Sequence, residues 1–247
     1  ERLEEAGCTV LYGFERFKVH SKICLITRRE KGRIQYITQV GTGNYNEKTA
    51  KLYTDFCLLT ASPAIGADAA AFFQNMSTSN LRGEYEHLLV APYGLKNRLL
   101  EMMDEEIEKA RRGKEARIFI KVTSVTDRDL IDKLAQASQA GVQVTMNVRG
   151  ICCLRPGVPG LTDHIRVFSV VWRFMENPRI YAFGVGKETK LYIGSAVLMT
   201  RNTERRVEIA CPVWDPAIRE QIQHYVSLYC GDTRKARNLR QDGSYEM

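Results

Sequence analysis

Apolar and polar positions along the chain fall into short blocks whose period changes several times. Cys8–Tyr12, Lys22–Thr27 and Arg33–Val40 are apolar or β-branched runs of strand length, and Glu30-Lys31-Gly32 between the last two reads as a hairpin turn. Ala64–Met76 is alanine-rich and predicts a helix. Leu88–Ala91 predicts a short buried strand that stops at Pro92. From Lys96 to Arg112 the residues Leu99, Leu100, Met103, Ile107 and Ala110 recur at helical spacing, and Gly113 ends the run. Ala116–Val122 predicts a strand, Asp127 an N-cap for a helix reaching Ala140 before Gly141, and Val142–Val148 another strand. Residues 88–148 therefore read strand, helix, strand, helix, strand, the order of an α/β layer with parallel strands. Strands are predicted at Ile165–Val171, Arg179–Gly184, Lys190–Ser195 and Arg206–Ala210, then a helix from Asp215-Pro216 to about Tyr229. The tail from Gly231 is polar and reads as irregular.

The loop-like Ser77–Glu84 stretch marks a domain boundary, dividing residues 1–84 from 85–247. The first part holds too few helices to cover its strands, so its beginning is expected to lie upstream. The acidic start, with no initiator Met and no signal-peptide core, agrees with a piece of a longer chain. The chain has 247 residues, 44% hydrophobic and 26% charged, which excludes a disordered, collagen-like or mini-protein class. Its apolar runs are too short for a transmembrane helix. A net charge of +7 is compatible with phosphate-rich ligands and equally ordinary among proteins that bind none. The seven cysteines show no C-x-x-C spacing and several sit in apolar runs, as in Ile23-Cys24-Leu25; they read as reduced core thiols of a cytosolic protein. No zinc pattern and no phosphate-binding P-loop motif is present.

Four stretches could carry chemistry. His20 and Lys22 lie two residues apart, on one face of a strand, where lysine would hold an anion and imidazole attack phosphorus. The same pair would also serve as two solvent-facing polar residues at a strand start. Gly41-Thr-Gly-Asn44-Tyr-Asn46 is either an anion-approaching loop or a plain turn. Arg149 follows a strand directly, the end of an open α/β sheet where ligands bind. Arg201, Arg205 and Arg206 crowd one turn, as an anion clamp or a solvated charge run. Tyr53 could stack on a base or half-bury in a strand. A weak echo joins the halves: His20-Ser-Lys22 precedes Gly41-Thr42 by 21 residues, and Asn177-Pro-Arg179 precedes Gly194-Ser195 by 17.

Val19–Glu30, Gly41-Thr-Gly-Asn-Tyr-Asn-x-x-Thr-Ala-x-Leu-Tyr-Thr-Asp55, Ala137-Ser-x-Ala-Gly-Val142 and Val148-Arg-Gly-Ile-Cys-Cys-Leu-Arg-Pro-Gly157 together resemble the bacterial polyphosphate kinases, which make inorganic polyphosphate from ATP. The likeness reaches Asp232-Thr-x-Lys-Ala-Arg237 and Asp242-Gly-Ser-Tyr245 and so covers nearly the whole chain. It implies an α/β fold of two phospholipase-D-like domains with mixed sheets flanked by helices, the first incomplete at its N-terminus. It implies that ATP phosphorylates His20, that Tyr53 lies near the adenine, and that Arg149 meets the nucleotide phosphates. Lys22, Arg179 and either Arg205 or Arg206 are expected to neutralise phosphate oxygens, and Asn44 to orient His20. ATP/ADP and Mg2+ are the implied cofactors, inorganic polyphosphate the partner, with no nucleic acid and no metal ligand assigned to this chain. A homo-oligomer of the full-length protein and a cytoplasmic place are also implied, peripheral contact with the inner membrane staying open.

Three positions depart from the family pattern. Glu-His-Ser-Arg stands here as Glu176-Asn177-Pro178-Arg179, Lys-x-Asn-Ser as Lys121-Val-Thr123-Ser124, and Ser-Ala-Asp-Trp as Ser195-Ala-Val197-Leu198. Asparagine neither accepts a phosphoryl group nor exchanges protons near neutral pH, so the second half-site is expected to be weaker. The sequence thus leaves two expectations: a phosphohistidine kinase, or a divergent paralogue that binds polyphosphate or nucleotide with little turnover. Phosphodiester hydrolysis with two His-Lys pairs is disfavoured, because the second pair here is Asn177 and Arg179.

Overall fold

The computed structural model describes all residues, 1–247. The first part runs α1 (Arg2–Glu5), β1 (Lys18–Val19), β2 (Ile23–Glu30), β3 (Arg33–Gly41), α2 (Glu47–Ala50), β4 (Tyr53–Thr54), β5 (Cys57–Thr60) and α3 (Pro63–Ser77). The second opens with β6 (Leu89–Val90), α4 (Leu95–Arg111), β7 (Arg117–Val122), α5 (Arg128–Ala140), β8 (Gln143–Val148), β9 (Ile165–Val170), β10 (Met175–Glu176) and β11 (Arg179–Phe183). It closes with β12 (Lys190–Gly194), α6 (Thr200–Glu204), β13 (Arg206–Val207), β14 (Ile209–Pro212), α7 (Pro216–Cys230), β15 (Ala236–Leu239) and β16 (Tyr245–Glu246).

Local chemistry sets these ends. Lys31 and Gly32 turn the β2–β3 hairpin with positive φ at both positions, 49° and 77°, a backbone whose twist matches the flanking strands. Asp127 accepts the Leu130 N–H at 3.3 Å to start α5, and Gly141 closes that helix in the left-handed region at φ 98°. Asp215 caps α7 through the N–H groups of Ala217 and Ile218, with Pro216 in the first turn.

A nine-stranded sheet in the order β16-β15-β9-β8-β7-β11-β12-β14-β6 forms the second part. Only β7, β8 and β9 pair in parallel; the other neighbours are antiparallel, so the fold is the expected mixed α/β one. On one face, Leu99, Met103 and Ile107 of α4 and Leu130 and Leu134 of α5 bury against Ile118, Ile120, Val144 and Met146. The other face shares a core with the first part: Val40, Leu58, Ile65 and Phe72 pack with Ile180, Ile193, Val207 and Ile209. Phe56 and Tyr225 add an edge-on ring contact across the same seam, with centroids 4.9 Å apart. Removing this apolar surface from water holds the two parts in one register.

Five expectations change. Cys8–Tyr12 forms no strand, since nothing pairs with it and most of it is exposed. Leu89–Val90 does not neighbour β7; it joins the far edge, antiparallel to β14. The run Arg206–Ala210 breaks at Glu208 into two short strands that serve different sheets. The tail is not irregular: β15 adds to β9, and β16 folds back on β15. The thiols are mostly not core groups, for Cys8, Cys24, Cys57 and Cys153 are exposed and only Cys211 is buried. Cys24 alternates to the face of β2 opposite the buried Val40 and Leu58, beside Gln39 in register.

Candidate active site

The site forms where β1 ends. β1 runs parallel to β13, and the N–H groups of His20 and Ser21 both donate to the Val207 carbonyl, at 2.9 and 3.0 Å. That register brings the next residue, Glu208, under the imidazole. His20 Nδ1–H donates to Glu208 Oε1 at 2.9 Å and Oε2 at 3.0 Å. Glu208 is wholly buried and also accepts from the Ser195 hydroxyl and from Asn202 Nδ2 at 2.8 Å. An ionised carboxylate only accepts, so these donors keep it satisfied away from water and hold the proton of neutral His20 on Nδ1. Nε2 then carries the lone pair, on a ring that stays 19% exposed.

The second part repeats this construction. β10 runs parallel to β4, the Asn177 N–H donates to the Thr54 carbonyl at 3.0 Å, and the next residue is Asp55. Asn177 Nδ2 donates to Asp55 Oδ1 at 2.8 Å, where His20 meets Glu208 in the first half-site. The Thr42 hydroxyl donates to Asp55 at 2.8 Å and accepts the Phe56 N–H at 2.9 Å; the Ser195 hydroxyl treats Glu208 and Ile209 in the same way. Lys22 and Arg179 stand two residues after His20 and Asn177. The echo seen in sequence is therefore a pair of matched half-sites, differing in that one holds an imidazole and the other an amide. Gly43 is a glycine for a local reason: a β-carbon there would overlap the Asp55 carboxylate.

Cations converge between the two. Arg179 is 7% exposed, donates to the carbonyls of Thr42 (3.1 Å) and Asn177 (2.8 Å), and leaves its Nε without a partner. Arg149 donates to the Glu176 carbonyl at 3.1 Å and stacks its guanidinium 5.8 Å from the Tyr53 ring. Burial pushes the Lys22 amine down from 10.5 to about 8; Glu208 and Asp55 oppose that, while Arg179 and Arg206 add to it. Lys121 behaves alike: burial lowers it to about 8 against Glu176, with Arg149 and Arg179 lowering it further. Such cations are present below about pH 8 and lost as pH rises through it, whereas unfolded lysines hold their protons to about 10.5. Affinity for sulfate, whose own charge is constant over the range, is expected to fall between pH 7 and 9 by calorimetric titration. Binding that persists unchanged to pH 10 would place the anion on ordinary surface lysines instead.

Not every expected residue gathers here. His20, Lys22, Asn177 and Arg179 converge, Tyr53 and Arg149 meet beside them, and Arg206 acts on Lys22 through its charge. Arg205 is exposed at the end of α6 and its side chain meets no partner. Asn44 does not orient His20: it is exposed and its amide makes no hydrogen bond, because Glu208 already holds the ring. Glu208, Asp55, Asn202 and Lys121 escaped the sequence reading. For Glu208 and Lys121 a signal was present, as a charge inside an otherwise apolar run: Val207-Glu208-Ile209-Ala210 and Ile118-Phe-Ile-Lys121-Val122.

Two family profiles fit this arrangement along its length. "Polyphosphate kinase C-terminal domain 1" matches residues 1–82 and "Polyphosphate kinase C-terminal domain 2" matches residues 88–247. The chain belongs to the polyphosphate kinase family. The polyphosphate kinase of Bacillus cereus is 45% identical over 245 residues, 99% of this chain and 35% of that protein. That of Thermosynechococcus vestitus is 43% identical over 246 residues, 100% of this chain and 34% of that protein. The crystal structure of polyphosphate kinase from Porphyromonas gingivalis superposes with a TM-score of 0.91 at 34% identity, covering 99% of this chain and 38% of that one. The chain thus spans about a third of the length of these polyphosphate kinases. No helix in it is long and apolar enough to cross a membrane.

Of Asn177, Thr123 and Val197, only Asn177 touches a paired carboxylate. Val197 is 5% exposed and packs in the core beneath α4 and α5. Thr123 contributes its carbonyl to the Gly150 N–H at 2.9 Å. The arrangement suits a polyanion, with an orphaned Arg179 Nε and four further cations around it. It does not suit a magnesium ion held by protein carboxylates: Glu208 accepts from three side chains, Asp55 from two, and Glu176 Oε2 from Tyr225 at 2.7 Å.

Proposed function

We propose that this chain carries the phosphoryl-transfer centre of a polyphosphate kinase, moving the γ-phosphoryl group of ATP reversibly to inorganic polyphosphate through phosphohistidine at His20. The observation that carries the reading is the His20–Glu208 pair: an imidazole locked with Nε2 free, at the rim of a cluster of buried cations. In the first step Nε2 attacks the γ-phosphorus, the N–P bond forms, and the bond to the β,γ-bridging oxygen breaks with its electron pair leaving on ADP. In the second a terminal oxygen of the polyphosphate chain attacks the same phosphorus, and the N–P bond returns its pair to the imidazole. Lys22 and Arg179 face the transferring oxygens from the two half-sites, and Arg149 and Tyr53 receive the nucleotide. Fixed charges need no reorganisation as negative charge shifts, which is where such sites gain most of their rate. Magnesium belongs with the nucleotide phosphates in this scheme, not with the chain's carboxylates. The test is the intact mass of the protein carrying this chain after ATP at alkaline pH. One acid-labile phosphoryl group mapped to His20 is expected; a phosphoryl on another residue would overturn the mechanism.

Asn177 favours a second reading, a paralogue of weakened turnover. Its amide holds Asp55 but cannot shuttle a proton. Asn177→His would place an imidazole against Asp55 as His20 stands against Glu208. A gain of about 10²–10⁴-fold in polyphosphate synthesis is expected if a missing acid–base group limits the rate. An unchanged rate in a protein of unchanged melting temperature would show that the amide is no handicap.

A further inference from the structure

Lys121 and Asn147 are register partners on the parallel strands β7 and β8, so their side chains share a face about 4.8 Å apart. Each is only 1% exposed. Lysines are seldom buried so deeply without a counter-ion, and Lys121 has none within ion-pair distance. Glu176, the carboxylate whose charge acts most strongly on Lys121, has one oxygen taken by the Tyr225 hydroxyl, and the Tyr229 ring lies 5.3 Å from the ammonium. Asn147 Nδ2 is buried with no acceptor at all. Two buried donors on one face, both short of acceptors, are an expensive arrangement unless something rich in oxygen meets them. They lie at the C-terminal ends of β7 and β8, and Lys121 senses the charges of Arg149, Arg179 and Asp55 from there.

We infer that Lys121 and Asn147, more buried than His20, form a separate phosphoryl subsite that holds a non-reacting phosphate of the substrate. The anion's identity rests on the phosphoryl-transfer reading; the need for an acceptor rests on the geometry alone. The non-reacting phosphate belongs either to the nucleotide or to the polyphosphate chain, and the two are separable by probe. Both place an oxygen of the same chemistry against an ammonium and an amide, a charge-assisted contact that neither donor has in the free protein.

The experiment titrates the protein with inorganic tripolyphosphate and, separately, ADP, at pH 7. It follows affinity by calorimetry, stability by thermal melting, and the Lys121 ammonium by nitrogen-15 NMR. Lys121→Met is expected to melt no lower than the parent without ligand, because it removes an unpaired buried charge. Its affinity for the ligand that occupies the subsite is expected to fall about 10- to 100-fold. Asn147→Leu, similar in shape, is expected to weaken the same ligand. A Lys121 signal that moves with tripolyphosphate alone assigns the subsite to the chain, and one that moves with ADP assigns it to the nucleotide. The inference is overturned if neither ligand moves the Lys121 signal. It is equally overturned if Lys121→Met loses melting temperature while binding both ligands unchanged, the mark of a structural lysine. These readouts need no turnover, so they separate from the phosphohistidine test: His20 could prove inert while the subsite binds, or the reverse.

Discussion

His20→Ala is expected to take up no phosphoryl group from ATP and to lose polyphosphate synthesis by about 10⁴-fold or more, the scale set by deleting a covalent nucleophile. No neighbour can substitute. Asn177 lacks a nucleophilic nitrogen, and Lys22 is charged at pH 7, with its amine titrating only at about 8. The fold should survive, because Glu208 keeps its bonds from Ser195 and Asn202 and the strand pairing of β1 uses only backbone groups. The check is phosphoryl incorporation and synthesis rate beside a thermal melt. Wild-type synthesis in a folded His20→Ala protein would remove His20 from the mechanism.

Glu208→Gln is the second large effect, and it separates orientation from nucleophilicity. The glutamine amide offers one acceptor and one donor group where three donors now converge on a carboxylate. Whichever way the amide turns, its NH2 faces a donor or asks Nδ1 to accept, which moves the imidazole proton to Nε2 and blocks attack. In a buried carboxylate–histidine pair the wrong tautomer lowers the rate by up to about 10⁴-fold, and a loss of 10²–10⁴-fold is expected here. The distinguishing measurement is the histidine tautomer by NMR together with the rate of phosphohistidine formation. A normal rate with the Nδ1–H tautomer intact would assign Glu208 to stability alone. Asp55 offers the internal comparison, since it accepts from Asn177 and Thr42 yet holds no titrating ring.

The two half-sites explain why the sequence reading reached some groups and not others. His20 and Lys22 stand two residues apart, so their relation is local and legible, but they lie in the break between β1 and β2 and not on one face of a strand as the spacing predicts. Arg149 was legible because a charged residue directly after an apolar strand sits at a ligand-binding sheet end. Asn44 was misassigned for the opposite reason. By sequence proximity the turn-rich loop offers the support for the ring, while the real support comes from residue 208, which is 188 positions away. Glu208 lies inside the run Arg206–Ala210, which reads as a single strand. It is the point where β13 and β14 part, because a wholly buried carboxylate needs donors from several directions and finds them in His20, Ser195 and Asn202.

By itself the sequence determined what depends on near neighbours. The hairpin at Lys31-Gly32, the caps at Asp127, Gly141 and Asp215, and the helices α3, α4, α5 and α7 follow from φ preference, side-chain capping and the 3.6-residue period. Only the tertiary structure decided the rest. The shared core of Val40, Leu58, Ile180 and Val207 sets the two parts in register and so presses His20 onto Glu208 and Asn177 onto Asp55. Tertiary packing also placed β6 at the far edge of the sheet and, through a separate cluster of Phe168, Val170 and Ala236, turned the polar tail into β15 and β16. Those outcomes depend on which distant surfaces bury together and which buried charges find partners. Non-local burial and hydrogen bonding decide them, and no window of a single chain segment contains both halves of such a contact.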